Sequence, residues 1–231
     1  MGKRIISQAR GKGSFTYRVR RKAFSHKIKY PIYEGDAKIL DIIHSAGHSA
    51  PLLKIGMKDL VFYNPAFNSA YVSQEINVGS KEELGNILAL KNISVGKKIY
   101  NIERNPGDGG KMIRTAGSSA MVTKKLEHNK ILVLMPNRKE IQVSGDCRAT
   151  IGEIAGSGKK QKPFMQAGKK YLHMKARGKL YPRTSAIKMN AVDHPFGSGR
   201  GKRIKSKIAV RNAPPGARVG HIRPRRTGRS K

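Results

Sequence analysis

From Gly35 to about Leu90 the chain alternates short apolar stretches with turn residues. GDAKILDIIHSAG puts Ile39, Leu40, Ile42 and Ile43 in one strand, and PLLKIG, DLVFYNPAF, SAYVSQEINVG and NILALKNI follow at intervals of about ten residues. A second run opens near Lys97 with KKIYNIE. After the turn-rich NPGDGG come KMIRT, AMVTKKLE, KILVLM and EIQV. Glu127-His128-Asn129-Lys130 reads as a hairpin turn and Pro136-Asn137-Arg138 as another, while Ile141 and Val143 alternate with polar neighbours as in a half-buried strand. Many short strands at even spacing predict barrels, and two runs predict two small barrels in series. One helix is predicted in PFMQAGKKYLHMKARG. Phe164, Ala167, Tyr171 and Met174 form its apolar stripe, Lys169 and His173 face the other way, and Gly178 stops it.

Charge changes this picture. The 231 residues carry 48 Lys and Arg against 14 Asp and Glu, a formal net charge of +34. The surplus is segregated. Residues 1–33 hold ten basic and no acidic residues; 35–153 hold 16 and 12; 154–192 hold ten and none; 194–231 hold 12 and none. Acid-free segments of this density repel themselves and bury too little apolar surface to fold alone. They require an outside polyanion, and a phosphate backbone supplies it with counterion release as the driving force. An anionic membrane is the weaker alternative, because no basic amphipathic helix of the membrane-surface type stands out. Ile131 to Met135 is the longest aliphatic run, far short of a membrane span, and no apolar stretch follows the basic N-terminus as a signal peptide would require.

Enzyme chemistry is not legible. GDGGK at 107–111, GSGKK at 156–160 and GSGRGK at 197–202 look like phosphate cradles. A P-loop would need Gly where Asn105, Glu153 and Phe196 stand, and Ser or Thr after the lysine, where none occurs. The single cysteine, Cys147, allows neither an intramolecular disulfide nor a cysteine-rich zinc site, and reads as a structural thiol. His44 and His48 are four apart but straddle a strand end, so metal binding is not expected. Glu82-Glu83 beside Lys81 reads as a solvated turn. Asn92-Ile93-Ser94 matches a glycosylation acceptor by chance.

The N-terminal arm interleaves Phe15, Tyr17, Phe24 and Tyr30 with Arg and Lys. The rings either stack unpaired RNA bases or anchor the arm to the chain's own core, and both readings stay open. The C-terminal segment, rich in Pro, Gly and Arg and ending GHIRPRRTGRSK, orders only around a ligand. No zinc finger, basic zipper or clear helix-turn-helix is visible, and folded RNA suits long threading tails better than duplex DNA.

Residues 189–199, MNAVDHPFGSG, resemble the Met-Asn-Pro-Val-Asp-His-Pro-His-Gly-Gly-Gly stretch of the universal large-subunit ribosomal protein L-two family. HSAGHSAPL at 44–52, LKNISVGKKIYNIERNPGDGGKMIRTAGSSA at 90–120 and DCRATIGEIAG at 146–156 are similar to that family's stretches, in the same order. The start, MGKRIISQARGKGS, and the end, RRTGRSK, resemble the archaeal and eukaryotic cytosolic branch. The resemblance implies a mainly β fold with an OB-fold barrel, then an SH3-like barrel, and long basic terminal extensions with little helix. It divides the chain into a basic N-terminal extension (1–34), an OB-fold RNA-binding domain (35–90), an SH3-like barrel domain (91–160) and a basic helix with an extended rRNA-penetrating segment (161–231). It also implies a structural constituent of the large ribosomal subunit in the cytoplasm. Such a protein binds large-subunit rRNA early in assembly, helps to join the small subunit, and reaches toward the peptidyl transferase centre, where the motif histidine, here His194, has been proposed to assist. Ala191, Phe196 and Ser198 depart from the bacterial motif, so a role needing two histidines does not carry over.

The residues expected to bind RNA are Lys3, Arg4, Arg10, Lys12, Arg18, Arg20, Arg21 and Lys22 in the arm; Lys159, Lys160, Lys162, Lys169, Lys170, Arg177 and Arg183 around the helix; and Asn190, His194, Arg200, Lys202, Arg203, Lys205, Lys207, Arg211, Arg218, Arg223, Arg225, Arg226 and Arg229 in the C-terminal segment. Asp193, His194 and Gly197 are expected nearest the peptidyl transferase centre. No nucleophile or second acid accompanies His194, so it is expected to position RNA by hydrogen bonding or stacking rather than to act as a base. Asp193 is not expected to orient its ring, because neighbours in an extended chain point apart. Neighbouring ribosomal proteins and the small subunit at the interface are the other expected partners. No catalytic residue, resident metal, cofactor or membrane contact is expected; Mg²⁺ bridging to rRNA stays open. An RNA-modifying or RNA-processing enzyme on a β-barrel body, or a DNA-compacting basic protein, are the alternatives.

Overall fold

The computed structural model describes residues 2–199 and 208–226. Two compact units emerge, Arg21–Met165 and Met1–Arg20 with Gln166–Lys231. As expected, the structure is mainly β. The described helices are α1 (Ile6–Arg10) and α2 (Ala167–Ala176), besides short 3-10 turns.

The Arg21–Met165 unit holds β1 (Gly35–Ile43), β2 (Leu52–Met57), β3 (Leu60–Pro65), β4 (Glu75–Val78), β5 (Ile87–Ala89), β6 (Lys98–Tyr100), β7 (Ala120–Leu126), β8 (Lys130–Leu134), β9 (Glu140–Ser144) and β10 (Arg148–Ile151). They pair in the order β3-β2-β1-β4-β5-β10-β6-β7-β8-β9. Beyond β3, Asn68 N–H donates to Glu153 O at 2.9 Å and Ala155 N–H to Ala66 O at 2.8 Å, around a Phe67–Ile154 bridge. The free side of β3 thus returns to the continuation of β10, which closes a ring through β5, β4, β1 and β2. On its other side β10 pairs with β6, and β9 leads through the turn at Gly145–Cys147 back into β10. Burial follows the two rings. Ile39, Leu53, Ile55, Phe67, Val78 and Ile87 sit in one core; Leu90, Ile93, Ile99, Val122, Val133 and Ala149 sit in the other.

β10 is the strand that the sequence pattern did not announce, because four residues with one strongly apolar member give no run. Its alternation carries the information. Cys147, Ala149 and Ile151 are buried in the second core, and burial raises the Cys147 thiol to about 11, as suits a structural thiol. Thr150 joins a polar cluster instead. Tyr30 Oη donates to Asn101 O at 2.7 Å, which leaves Thr150 to donate to Tyr30 at 2.7 Å while accepting from Asn64 Nδ2 at 3.0 Å. Tyr30 is therefore a core anchor of the arm. Phe24 lies edge-on to His48 with centroids 4.9 Å apart, whereas Phe15 is 90% exposed beneath Arg18. Tyr30 and Phe24 thus meet the chain's own residues, as the anchoring reading expects, and Phe15 does not.

Both hairpin turns form where the sequence puts them. His128 and Asn129 have φ of 57° and 54°, two left-handed residues in the short turn between the paired Leu126 and Lys130. At the next turn Met135 N–H donates to Lys139 O at 2.9 Å. Some stretches differ. KMIRT gives only an Ile102–Met112 bridge, and in SAYVSQEINVG only Glu75–Val78 is strand. Leu40 faces outward by alternation with Ile39, and a register shift between Ile39 and Asp41 leaves Asp41 and Ile42 exposed as well. Glu82 is no idle turn residue: its carboxylate accepts from both the N–H and the hydroxyl of Ser94, each at 2.7 Å.

Helix α2 starts at Ala167, so Phe164 lies before it. It ends at Gly178 (φ 63°), where Lys179 N–H donates to Met174 O and Gly178 N–H to Lys175 O, a double C-terminal cap that only a left-handed residue permits. The helix buries none of its residues. Its apolar stripe has no core of its own to cover, and Tyr171 is 42% exposed. In the C-terminal segment β11 (Ile208–Ala209) and β12 (His221–Ile222) pair in parallel. Among the described residues no helix is long and apolar enough to cross a membrane.

Candidate nucleic-acid interface

In the unit of Met1–Arg20 and Gln166–Lys231, the loop around His194 is a turn, not an extended strand. Asp193 and His194 N–H both donate to Asn190 O, at 3.0 and 3.2 Å; Gly197 N–H donates to His194 O at 2.9 Å and Ser198 N–H to Met189 O at 3.2 Å. A Cβ on Gly197 would lie 2.2 Å from Asn190 O and 2.4 Å from its carbonyl carbon. Backbone cannot step aside as a side chain can, so only glycine fits.

This fold fixes the histidine. Phe196 N–H donates to His194 Nδ1 at 3.0 Å, and the two rings sit 5.1 Å apart, tilted by 58°. The bond needs the Nδ1 lone pair, so the neutral ring carries its proton on Nε2. Asp193 does not orient the ring: it faces Lys3 Nζ at 3.7 Å, half exposed. Nε2 therefore presents a donor, and the opposite tautomer would lose the Phe196 bond.

The start of the chain builds the other wall. Lys3 N–H donates to Val192 O at 2.8 Å, and Ile5 is buried. Gln8 Oε1 accepts from Ile5 N–H at 3.2 Å and its amide lies against Gly216. One cavity of about 460 Å³ runs between residues 2–8, the His194 loop and residues 215–217. A second, of about 330 Å³, is lined by Ile5, Ile6, Ser7, Arg10, Arg183, Thr184, Ser185, Ala186, Met189 and His194. The cavity walls beside His194 include residues 2–10, more than 180 positions away, which no local pattern reveals; the one hint is the buried-type Ile5 within a basic arm.

The other expected residues fall on surface. Lys3, Arg4, Arg10, Lys12, Arg18, Arg20, Arg183, Asn190, Arg211, Arg218, Arg223, Arg225 and Arg226 are exposed in this unit, as is Lys169, with Lys170 and Arg177 partly covered. Lys170 lies over the Tyr181 ring at 5.1 Å and Lys175 over Tyr171 at 5.2 Å. Arg211 donates to Arg223 O at 2.9 Å. Arg21, Lys22, Lys159 and Lys162 are exposed in the other unit, where Lys159 Nζ donates to Ser49 O at 2.7 Å and the Lys160 backbone lies in the Ser157–Lys160 turn. Arg200, Lys202, Arg203, Lys205, Lys207 and Arg229 lie outside the described residues, as does the second half of GSGRGK.

The GDGGK loop is already filled. Gly107 and Gly109 N–H donate to Glu103, at 3.3 and 2.9 Å, and Gly110, Asn105 and Arg104 N–H donate to Asp108, whose carboxyl these bonds hold below its usual range against the upward push of burial. Its amides face the chain's own carboxylates, so they are closed to phosphate. Among the described residues no cluster of three His, Cys, Asp or Glu side chains is placed to hold a metal ion. His44 is exposed, and His48 Nδ1 pairs with Ser45 Oγ at 2.7 Å.

Residues 83–215 match the family model of the ribosomal proteins L2, C-terminal domain. The chain belongs to the ribosomal protein L2 family. The "Large ribosomal subunit protein uL2" of Archaeoglobus fulgidus is 43% identical, with 99% of each chain covered. The proteins of that name from Sulfolobus acidocaldarius and Methanothermobacter thermautotrophicus are 40% and 39% identical, each over 99% of this chain and 98% and 99% of their own. The archaeal relatives agree with the branch that the two termini resembled. The stretch at 189–199 whose motif resembles that family is the loop that Gly197 and Phe196 hold around His194.

Proposed function

We propose that this L2-family chain is a non-enzymatic structural constituent of the large ribosomal subunit in the cytoplasm, bound to large-subunit rRNA. The carrying observation is end-to-end similarity to archaeal large-subunit proteins, joined to acid-free cationic segments whose described lysines and arginines mostly lie exposed. Residues 35–90 and 91–160 act as RNA-facing barrel domains, while 1–34 and 161–231 thread between RNA segments, support assembly and subunit joining, and neighbour other ribosomal proteins. Mg²⁺ would serve only as a bridge to phosphate.

In this reading the loop of Asp193, His194 and Gly197 approaches the peptidyl transferase centre, and His194 positions RNA. The ring has its Nδ1 occupied and its Nε2 protonated, so it donates rather than accepts. That supports a positioning role over general-base catalysis.

The test is to crosslink the protein in its own cells, wash at high salt and sequence the attached RNA. Reads concentrated in a few large-subunit rRNA segments are expected. Reads spread over mRNA, tRNA or DNA would overturn the assignment and leave only charge binding.

A further inference from the structure

The cavity of about 330 Å³ beside His194 lies within the size range, about 300–1,000 Å³, of pockets that take a small molecule, and its lining is mixed in a specific way. Ile5, Ile6 and Met189 supply apolar surface. Ser7, Thr184 and Ser185 supply hydroxyls. Arg10 and Arg183 are exposed, and neither has an acidic partner among the described residues. His194 adds a ring whose free nitrogen is a fixed donor.

We propose that this cavity receives one unpaired ribonucleotide, splayed out of its stack in the bound RNA. The inference rests on the RNA-binding reading above and names the ligand of that site. Arg10 and Arg183 pair with its phosphate. The base enters between the aliphatic side chains and the imidazole, and His194 Nε2–H donates to a base or sugar oxygen or ring nitrogen. A duplex is too wide for a space of this volume. A bare phosphate would meet the two guanidiniums and leave the apolar wall unused. Two segments far apart in sequence, residues 5–10 and 183–194, line the cavity together, so it is more than one patch of surface charge.

The test uses the full chain with ¹⁵N-labelled histidine, at fixed ionic strength. The His194 ring signals, assigned with His194→Gln, are followed while AMP, GMP, CMP and UMP are added in turn, with ribose 5-phosphate and inorganic phosphate as controls. At least one nucleotide is expected to give a saturable shift that neither control reproduces. Arg10→Gln and Arg183→Gln should each weaken it about tenfold, the loss of one charge-assisted contact. Ala186→Phe fills the cavity at unchanged net charge and should abolish the shift; Ser185→Trp serves if the first variant does not fold. Equal shifts with phosphate, unchanged titration in the filled variant, or no shift with any nucleotide would each overturn the proposal. Binding to large-subunit rRNA is measured on the same samples. Retained rRNA binding without a nucleotide shift removes this site alone, whereas rRNA binding no better than that of an equally charged random RNA removes the reading beneath it.

Discussion

Arg148 on β10 ties its guanidinium to the fully buried carboxylate of Glu103 at 3.1 Å, and its other terminal nitrogen donates to Pro31 O at 2.6 Å. One side chain thereby joins the arm, the GDGGK loop and the strand shared by both rings. Glu103 also accepts from the backbone N–H of Arg148 at 2.8 Å and of Gly109 at 2.9 Å. Such an arrangement is worth little as an isolated ion pair, but breaking it strands a charge in the interior. Arg148→Ala is expected to cost about 3–5 kcal/mol in urea unfolding. Arg148→Lys should recover only part of this, because an ammonium cannot reach both partners in a fork. A loss under 1 kcal/mol for the alanine variant would show that water enters and relieves Glu103.

Gly197→Ala should disrupt the loop without touching the barrel unit. The added methyl meets backbone on the Asn190 side, and overpacking of this kind costs about 1–3 kcal/mol. The His194–Phe196 contact should be lost in ring-proton NOEs while β-unit resonances keep their shifts. An unchanged contact would mean that the loop has room that the structure does not give it.

His194→Ala is expected to reduce subunit assembly or activity modestly. Purified variant particles would be assayed for tRNA binding and peptide-bond formation. Particles that assemble and bind tRNA normally yet form no peptide bonds would sink the positioning role.

His48 gives the β unit a pH signature. Burial, then the charges of Arg114 and His26, lower its pKa below the ordinary 6.5. The unfolded chain therefore takes up a proton at a pH where the folded chain refuses it. Stability from this group is complete above about 6.5 and falls as the pH drops below that value, until the folded ring also protonates. His48→Gln should flatten the decline in melting temperature measured between neutral and mildly acidic pH. An equal decline in the variant would assign the effect to another group.

The arm charges should act through phosphate. Replacing Arg20, Arg21 and Lys22 by Gln should lower the slope of log affinity against log salt by about 0.7–0.9 per residue and weaken all RNA sequences alike. A selective loss for one sequence would indicate base contacts at these positions.

The β character, both hairpin turns and the stop at Gly178 were legible because each rests on local chemistry. Alternation sets the strand faces, and left-handed residues such as His128 and Asn129 mark where the chain reverses. β10 was not legible, since Arg-Ala-Thr-Ile owes its burial on both faces to neighbours from β5, β6 and the arm. Tyr30 could not be separated from Phe15 by sequence: both are aromatics in a basic arm, and only the waiting oxygens of Asn101 and Thr150 make one of them a core residue. The apolar stripe predicts α2 from Phe164, yet the helix starts at Ala167, because a stripe shapes a helix end only where a core covers it and α2 buries none of its residues.

What the sequence alone determined is the class of partner and the family. Net charge, its segregation into acid-free segments and the order of the long motifs are properties of composition and succession, and folding does not alter them. The tertiary structure decided the state of His194. The sequence shows an aspartate beside it and suggests no more than a neighbour. The folded turn gives Asp193 to Lys3, gives the ring nitrogen to Phe196 N–H, and brings Ile5 and Arg10 from the start of the chain to its side. The Phe196 bond is local, but Lys3, Ile5 and Arg10 stand more than 180 positions before Asp193 and His194, and contacts of this kind act over a few ångströms, so only the packed chain brings them together.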